Sequence, residues 1–461
     1  MGADSTVAGP RAFSRSMGGL GALLITLSQL SPSVGVFVVG SDVIHAAGTA
    51  AFLCFLAAGL LGVAIANVYA ELAAAFPETG GEYTIVGRVL GPAWGFAMLG
   101  LNLLTFSIAP AVTALGVTTY LGAISPGLPA APTAMALVVL CMGMSVLNVR
   151  VNAVVTGLFL LVELASLAVV AALGFAHPAR GLAEAALHPL VLSAGGQLAP
   201  ASWAGLGVGA AAAIFAFDGY GAAVYLGEEI HDAPRRMARV MFWTLGMAAV
   251  FMLLPVLAVQ VGAPNLKALI AGDSPIPDFI RTLGGPVLAK VMSLGVALAL
   301  FNAMIATALM GGRHLYSSGR DRAWPRRVSA ALSRLHPRFN SPWVASLTLG
   351  ATSVLWCVLK LDALLVLIGD GTAAIYACMG LAALRGRSEA TAHGPYRMPL
   401  FPALPILALI ALFGVALADL ADPDGRKGLI ASAVVAGGFA LYYRLVLRRR
   451  GDWAHRGPGA A

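Results

Sequence analysis

Apolar residues run along this chain in long blocks cut by short polar stretches. No charged residue occurs between Arg15 and Asp42, and none between Arg88 and Arg150. A helix that crosses a bilayer needs about 20 mainly apolar residues. The first run therefore predicts one span and the second predicts two, parted at "SPGLPAAP" (125–132), where prolines and a glycine turn the chain. Read this way throughout, the pattern predicts an all-α polytopic membrane protein of twelve spans. They lie near 17–44, 47–75, 93–123, 131–149, 151–176, 204–226, 239–262, 284–311, 341–359, 361–384, 401–420 and 428–446. The longest connections fall near 177–203 and 312–340.

Two of these spans are interrupted. The first reads "LLITLSQLSPSVGVFVVG", with Ser31, Pro32, Ser33 and Gly35 near its middle; the sixth reads "IFAFDGYGAAVYL". Proline removes a backbone donor and glycine weakens a helix. Such breaks persist at membrane depth only where protein or a cavity satisfies the backbone. Breaks five spans apart predict an inverted repeat with a binding site between them. Two merely kinked helices are the bland alternative.

Composition agrees: 59% of the 461 residues are hydrophobic and 11% charged, against about 25% charged in a soluble domain. The formal charge of +8 is not a nucleic-acid signature. Of 29 Lys and Arg, 22 fall in the two terminal segments and the loops after spans 2, 4, 6, 8 and 10. That bias predicts that both termini are cytoplasmic, in a plasma (inner) membrane. The first six residues fit the loose N-myristoylation pattern. The four cysteines lie in apolar spans, which argues against disulfides and a zinc site.

Three segments carry a family resemblance: "YAELAAAFPETGGEYTIVGRVLGP" (69–92), "FAFDGYGAAVYLGEEIHDAPRRMARVM" (215–241) and "RHLYSSGRDRAWP" (313–325), with a weaker match in "PYRMPLFP" (395–402). Together they resemble the amino acid–polyamine–organocation (APC) superfamily of secondary transporters. The resemblance implies a LeuT-type fold of two inverted five-helix repeats plus two helices. It divides the chain into an N-terminal segment 1–16, repeats at 17–176 and 204–384, an extracellular loop 177–203, helices 11 and 12 at 385–446, and a tail 447–461. It implies alternating access to an amino acid or amine, by proton symport or exchange, with no cofactor. In the family, backbone N–H groups of broken helix 1 hold a substrate carboxylate. Carbonyls of broken helix 6 hold its amine, and an aromatic covers it. By motif these are Ser33, Val34 and Gly35 (beside Ser31), then Ala216, Asp218 and Gly219, with Phe215 as lid. Here Ser33 and Val34 stand where many members carry smaller residues, and Pro32 lacks an N–H.

Charges at bilayer depth cost about 2.5–3.5 kcal/mol even on mild scales, so acids there need a reason. Glu163, Asp218 and Asp370 lie near span centres, with no base at comparable depth. Glu163 stands where relatives often have a lysine linked to proton coupling. It is a candidate for proton uptake, for attracting a cation, or for a hydrogen-bonded structural role. Asp218 either pairs with a substrate ammonium or caps the second half of helix 6; Asp370 lines the cavity or bonds across helices. Three unpaired acids favour a cationic or amine-bearing substrate, with a neutral amino acid as the alternative. Asn302 and Tyr376 are further lining candidates, and Asn102, Thr105, Ser107 and Thr307 are within reach. Polar residues at such places also serve as interhelical hydrogen bonds. No HExxH, GxSxG or nucleotide loop is present, which argues against an enzyme. A single chain with an internal repeat argues against a channel.

Overall fold

The computed structural model describes residues 13–456 apart from 123, 126, 194, 273, 388–390 and 392. The myristoylation pattern and the last residues of the tail lie outside them. Among the described residues eight helical segments are long and apolar enough to cross a membrane, and the rest is almost entirely helical. In chain order the helices are α1 (Gly19–Leu30), α2 (Gly40–Ala47), α3 (Ala51–Ala75), α4 (Glu82–Val89), α5 (Pro92–Gly122), α6 (Ala130–Ser145), α7 (Val149–Ala176), α8 (Leu182–Leu187), α9 (Trp203–Ala216), α10 (Ala233–Gly262), α11 (Leu266–Ala271), α12 (Pro275–Arg320), α13 (Arg326–Leu332), α14 (Trp343–Trp356), α15 (Leu361–Gly386), α16 (Ala403–Ala421) and α17 (Pro423–Tyr442). A wide π-turn, Val34–Val39, links the first break to α2, and a tight 3₁₀ segment, Tyr220–Leu226, follows α9.

Two expectations change. The segment 312–340 is not a loop from its start: α12 continues to Arg320 and α13 occupies part of the remainder. The span also begins earlier, at Pro275, and kinks where Gly285 takes φ 79° before Pro286. The 177–203 connection carries α8 and a short antiparallel pair, β1 (Leu190–Leu192) with β2 (Leu198–Pro200).

Burial sorts the helices into a core and a rim. In α12, residues 299–319 are all buried, and α12 packs against α1, α5, α7 and α14. The rim helices present bare hydrocarbon: Ile410 and Phe413 of α16 and Ile430 and Val434 of α17 are each more than 60% exposed. Such a surface suits lipid, whose tails are as apolar as leucine. α7 shows both conditions at once, with Leu158 and Leu161 outward and Glu163 wholly buried.

Both breaks follow from local chemistry. A residue before proline avoids the α region; Ser31, before Pro32, leaves the helix at φ 48°, ψ 87°. In the sixth span α9 ends at Ala216, and Gly219 turns the chain at φ 121°, ψ −20°. The two breaks touch. A Cβ on Gly219 would lie 2.6 Å from Leu30 Cα and 2.7 Å from Leu30 N, so only a bare glycine lets the backbones meet.

One face of the bundle is knitted by charge and by the first and last of the described residues. The N-terminal strand pairs with the segment after the second break: Ser16 and Met17 amides donate to the Glu229 carbonyl and the His231 amide to Met17. Arg313 at the end of α12 forms a fully buried ion pair with the Glu229 carboxylate, and Arg320 pairs with Glu228 at 2.8 Å. The tail returns to the same face, where Trp453 donates to the Tyr83 hydroxyl at 2.9 Å and the Arg456 amide to Asp321 at 3.0 Å.

Removing one partner of a buried pair strands the other charge, at a cost of about 3–5 kcal/mol. Arg313→Ala is therefore expected to lower the melting temperature of the purified protein sharply; an unchanged melting curve would show that Glu229 finds another partner. Gly219→Ala meets a backbone and a φ closed to other residues, and such strain alone costs about 1–3 kcal/mol. We expect a poor yield of monodisperse protein, with wild-type yield and melting temperature as the contrary result.

Candidate functional site

The two breaks create two polar centres. The first lies where α7 crosses the first break. Pro32 has no N–H, so the next free donor at the start of the half-helix is Ser33. The Glu163 carboxylate takes it: one oxygen accepts the Ser33 amide at 2.9 Å and the Ser31 hydroxyl at 2.8 Å. Helix starts favour anions because their first N–H groups are unpaired, and an anion capping a helix from another helix uses the same physics as a side-chain N-cap. The other Glu163 oxygen is buried without a partner. Asn302 of α12 stands alongside, its amide donating to Ser28 Oγ at 2.9 Å. Gly35 has its own amide bonded to the Ser31 carbonyl at 3.2 Å, and a Cβ there would run into Met252 and lie 3.4 Å from the Ala216 Cβ.

The second centre is a cavity of about 70 Å³ beside the second break. One ordered water needs about 10–15 Å³ on this measure, so it has room for roughly five. Asp218, Gly219 and Tyr376 line it. So do Gln29, Tyr69, Asn102, Thr105, Thr372 and, unexpectedly, Glu82 of α4. The Tyr376 hydroxyl donates to the Asp218 carboxylate. Glu82 accepts from the Tyr69 hydroxyl at 3.0 Å and from the Tyr225 hydroxyl. Burial pushes the Glu82 carboxyl up to about 7, with the hydrogen bonds from Tyr225 and Tyr69 pulling the other way. None of the lining residues is a base.

The expected site residues therefore divide. Ser31, Ser33 and Asn302 gather at Glu163, and Asp218, Gly219 and Tyr376 at the cavity. Val34, Gly35 and Ala216 form the packed seam beside the breaks and do not line the cavity. Phe215 points to α15, its ring 3.7 Å from where a Cβ on Gly369 would lie. Asp370 is not in the cavity lining; it bonds instead with Asp419 of α16. Among the smaller candidates, Asn102 and Thr105 reach the cavity. Ser107 instead accepts from Trp356 at 3.2 Å, and Thr307 bonds back to its own helix at Ala303.

Glu82 escaped the sequence reading because it lies in a connection, outside any apolar run. Its one visible signal was its place inside "PETGGEY", where Gly80 and Gly81 fold the chain closely. A Cβ on Gly81 would strike the Tyr225 ring, which brings Glu82 under the second break.

Comparison with known proteins identifies the family. The family model described as amino acid permease matches residues 17–439. An uncharacterized transporter of Mycobacterium tuberculosis (strain ATCC 25618 / H37Rv) is 31% identical over 350 residues, covering 74% of this chain and 73% of that protein. The serine/threonine exchanger SteT of Bacillus subtilis is 23% identical over 94% of this chain and 98% of its own. The low-affinity putrescine importer PlaP of Escherichia coli (strain K12) is 22% identical over 62% of each. With the family match running from the first helix to the last, this chain belongs to the amino acid permeases of the APC superfamily.

Proposed function

We propose that the protein carries a small organic amine, rather than a free amino acid, across the plasma membrane by alternating access. The observation that carries this reading is Glu163 on the Ser33 amide. Of the N–H groups that the family resemblance assigns to a substrate carboxylate, that of Ser33 already meets a carboxylate of the protein itself, and that of Gly35 is bonded to the Ser31 carbonyl. What is left beside the breaks is a cavity with two acids and no base. Such a cavity attracts a cation and repels an anion. Phe215 and the carbonyls near Ala216 and Gly219 become amine contacts when the cavity opens between the breaks. A neutral amino acid is the second reading, favoured by the likeness to the Bacillus subtilis exchanger over nearly the whole chain.

The architecture in this reading is twelve spans, with inverted repeats at 17–176 and 204–384 and helices 11 and 12 at 385–446. Its support is the position of the breaks, one in the first span of each repeat, and their direct contact at Leu30 and Gly219. The face that gathers residues 16–17, residues 453–456 and the arginine-rich loops is cytoplasmic, in keeping with the excess of basic residues there.

Glu163 serves as the coupling group in this reading. Its partnerless oxygen and full burial suit a carboxyl that takes up and releases a proton as the first break moves. Asp370 and Asp419, which share a hydrogen bond, are a second place where a proton is held between two carboxyls.

A thermal-shift screen tests the substrate class, since a ligand bound to the folded state raises stability. Primary amines are expected to raise the melting temperature; stabilisation by neutral or anionic amino acids alone would overturn the amine reading. In liposomes preloaded with a stabilising amine, uptake should be saturable and accelerated by the internal amine, and uptake without either property would remove the carrier mechanism. Glu163→Gln keeps the acceptor oxygen for Ser31 and Ser33 but cannot ionise. We expect it to bind amine with wild-type affinity and to lose accumulation driven by a pH gradient; retained pH-driven accumulation would exclude Glu163 from coupling.

A further inference from the structure

A larger cavity lies between the start of α1 and the start of α10. Its volume is about 360 Å³, against about 70 Å³ beside the second break. Leu20 and Leu23 of α1 line one side, and Arg236, Arg239 and Trp243 of α10 line the other. Positions 236, 239 and 243 are three and four apart and share one helix face, where neighbouring Cβ atoms are about 5–6 Å apart. Two guanidinium groups so spaced can close on a single anion. Gly19 completes the lining, and a Cβ there would meet nothing within 4 Å.

The cavity straddles the boundary between charged and apolar chain. No charged residue occurs between Arg15 and Asp42, or between Arg239 and Lys267. Arg236 and Arg239 are therefore the last charges of α10 before its apolar run, and Leu20 and Leu23 belong to the apolar run of α1. Leu20 is 69% and Trp243 61% exposed, and Val250 and Leu254 carry the exposed apolar stripe further along α10. Tryptophan is enriched at the headgroup level of a bilayer. Charge at one end and bare hydrocarbon at the other fit a molecule with an anionic head and an apolar chain.

The two arginines also have no acid of their own. Among the described residues neither side chain makes an ion pair or a hydrogen bond, although Asp232 lies one turn before Arg236. Elsewhere Arg313, Arg320 and Arg387 pair with Glu229, Glu228 and Glu71. A guanidinium group matches phosphate oxygens with paired N–H donors.

We propose that this cavity binds one anionic phospholipid, with its phosphate on Arg236 and Arg239, its headgroup beside Trp243 and an acyl chain over Leu20 and Leu23. The site is separate from the substrate cavity, and it stands or falls independently of the amine reading. α1 is the half-helix that ends at the first break, and it packs on α10. A lipid bridging the two from outside holds α1 in the position where the breaks meet. In the orientation proposed above it belongs to the cytoplasmic leaflet, whose anionic lipids attract basic side chains.

The test is a thermal-shift titration of the full-length protein in detergent with dioleoylphosphatidylglycerol, dioleoylphosphatidylcholine and inorganic phosphate. Phosphatidylglycerol is expected to raise the melting temperature, phosphatidylcholine much less, and inorganic phosphate not at all where the first lipid saturates. Arg236→Gln/Arg239→Gln should raise the phosphatidylglycerol concentration for half the maximal shift by at least about tenfold. Arg448→Gln/Arg449→Gln removes two exposed charges outside the cavity and should leave that concentration unchanged. Lipid-free melting curves report whether each variant folds. Arg239 is exposed, so Arg239→Gln alone spares the packing and should show part of the loss, at least about threefold. Equal stabilisation by the two lipids would overturn recognition of an anionic head. Equal loss in the two double variants would assign the effect to overall positive charge and remove the site. Inorganic phosphate that matches the lipid would make this a site for a free anion and overturn the lipid reading.

Discussion

The structure turns on one backbone contact. Leu30 ends the first half of the first span, and Gly219 sits at the break in the sixth; a single methyl group on Gly219 would push them apart. Two broken helices in a membrane each leave N–H and C=O groups that lipid cannot satisfy. Bringing the breaks together allows them to share one polar interior. The cavity, the Asp218–Tyr376 pair and the position of Gln29 all follow from that contact. The glycine thus has a positive requirement here: its φ of 121° and the close approach are two separate reasons that no other residue serves.

The breaks are stabilised by different means. At the first, an acid from another helix caps the new helix start: Glu163 reaches across from α7 to the Ser33 amide and Ser31 hydroxyl. At the second, the chain tightens into a 3₁₀ segment and its acid is held by Tyr376 from α15. Both acids sit at costly depth, and each is hydrogen-bonded to a neighbouring helix. Any movement that separates α7 from the first break, or α15 from the second, must find these carboxyls new partners. In the proposed mechanism a proton or a substrate cation supplies them.

The face that gathers the chain ends has a different character. There the charges are paired: Glu229 with Arg313, Glu228 with Arg320, and Glu71 near Arg387 and Arg397. Glu228 also accepts the Thr79 amide at 3.1 Å, which joins the loop before α4 to the loop after the second break. α4 is therefore clamped from outside by ion pairs and from inside by Glu82. The acids of this face are paired with arginines, whereas the two acids that line the cavity are held by tyrosine hydroxyls.

Much of this was legible in the chain itself. Uncharged runs of membrane length set the spans, Pro32 and the Asp218–Gly221 stretch marked the breaks, and Glu163 was conspicuous because an acid in an apolar helix is expensive. These features depend on neighbours along the sequence, so local chemistry determines them. Which acid meets which break depends on contacts between residues more than a hundred apart, and no local pattern encodes that. The fold alone placed Glu163 on the Ser33 amide, moved Asp370 out of the cavity to Asp419, and turned Phe215 toward α15. It also brought Glu82 from an ordinary polar connection into the cavity lining, because Gly81 lets the start of α4 pack against Tyr225. Burial and hydrogen bonding make an acid part of a site, and both are properties of the packed bundle.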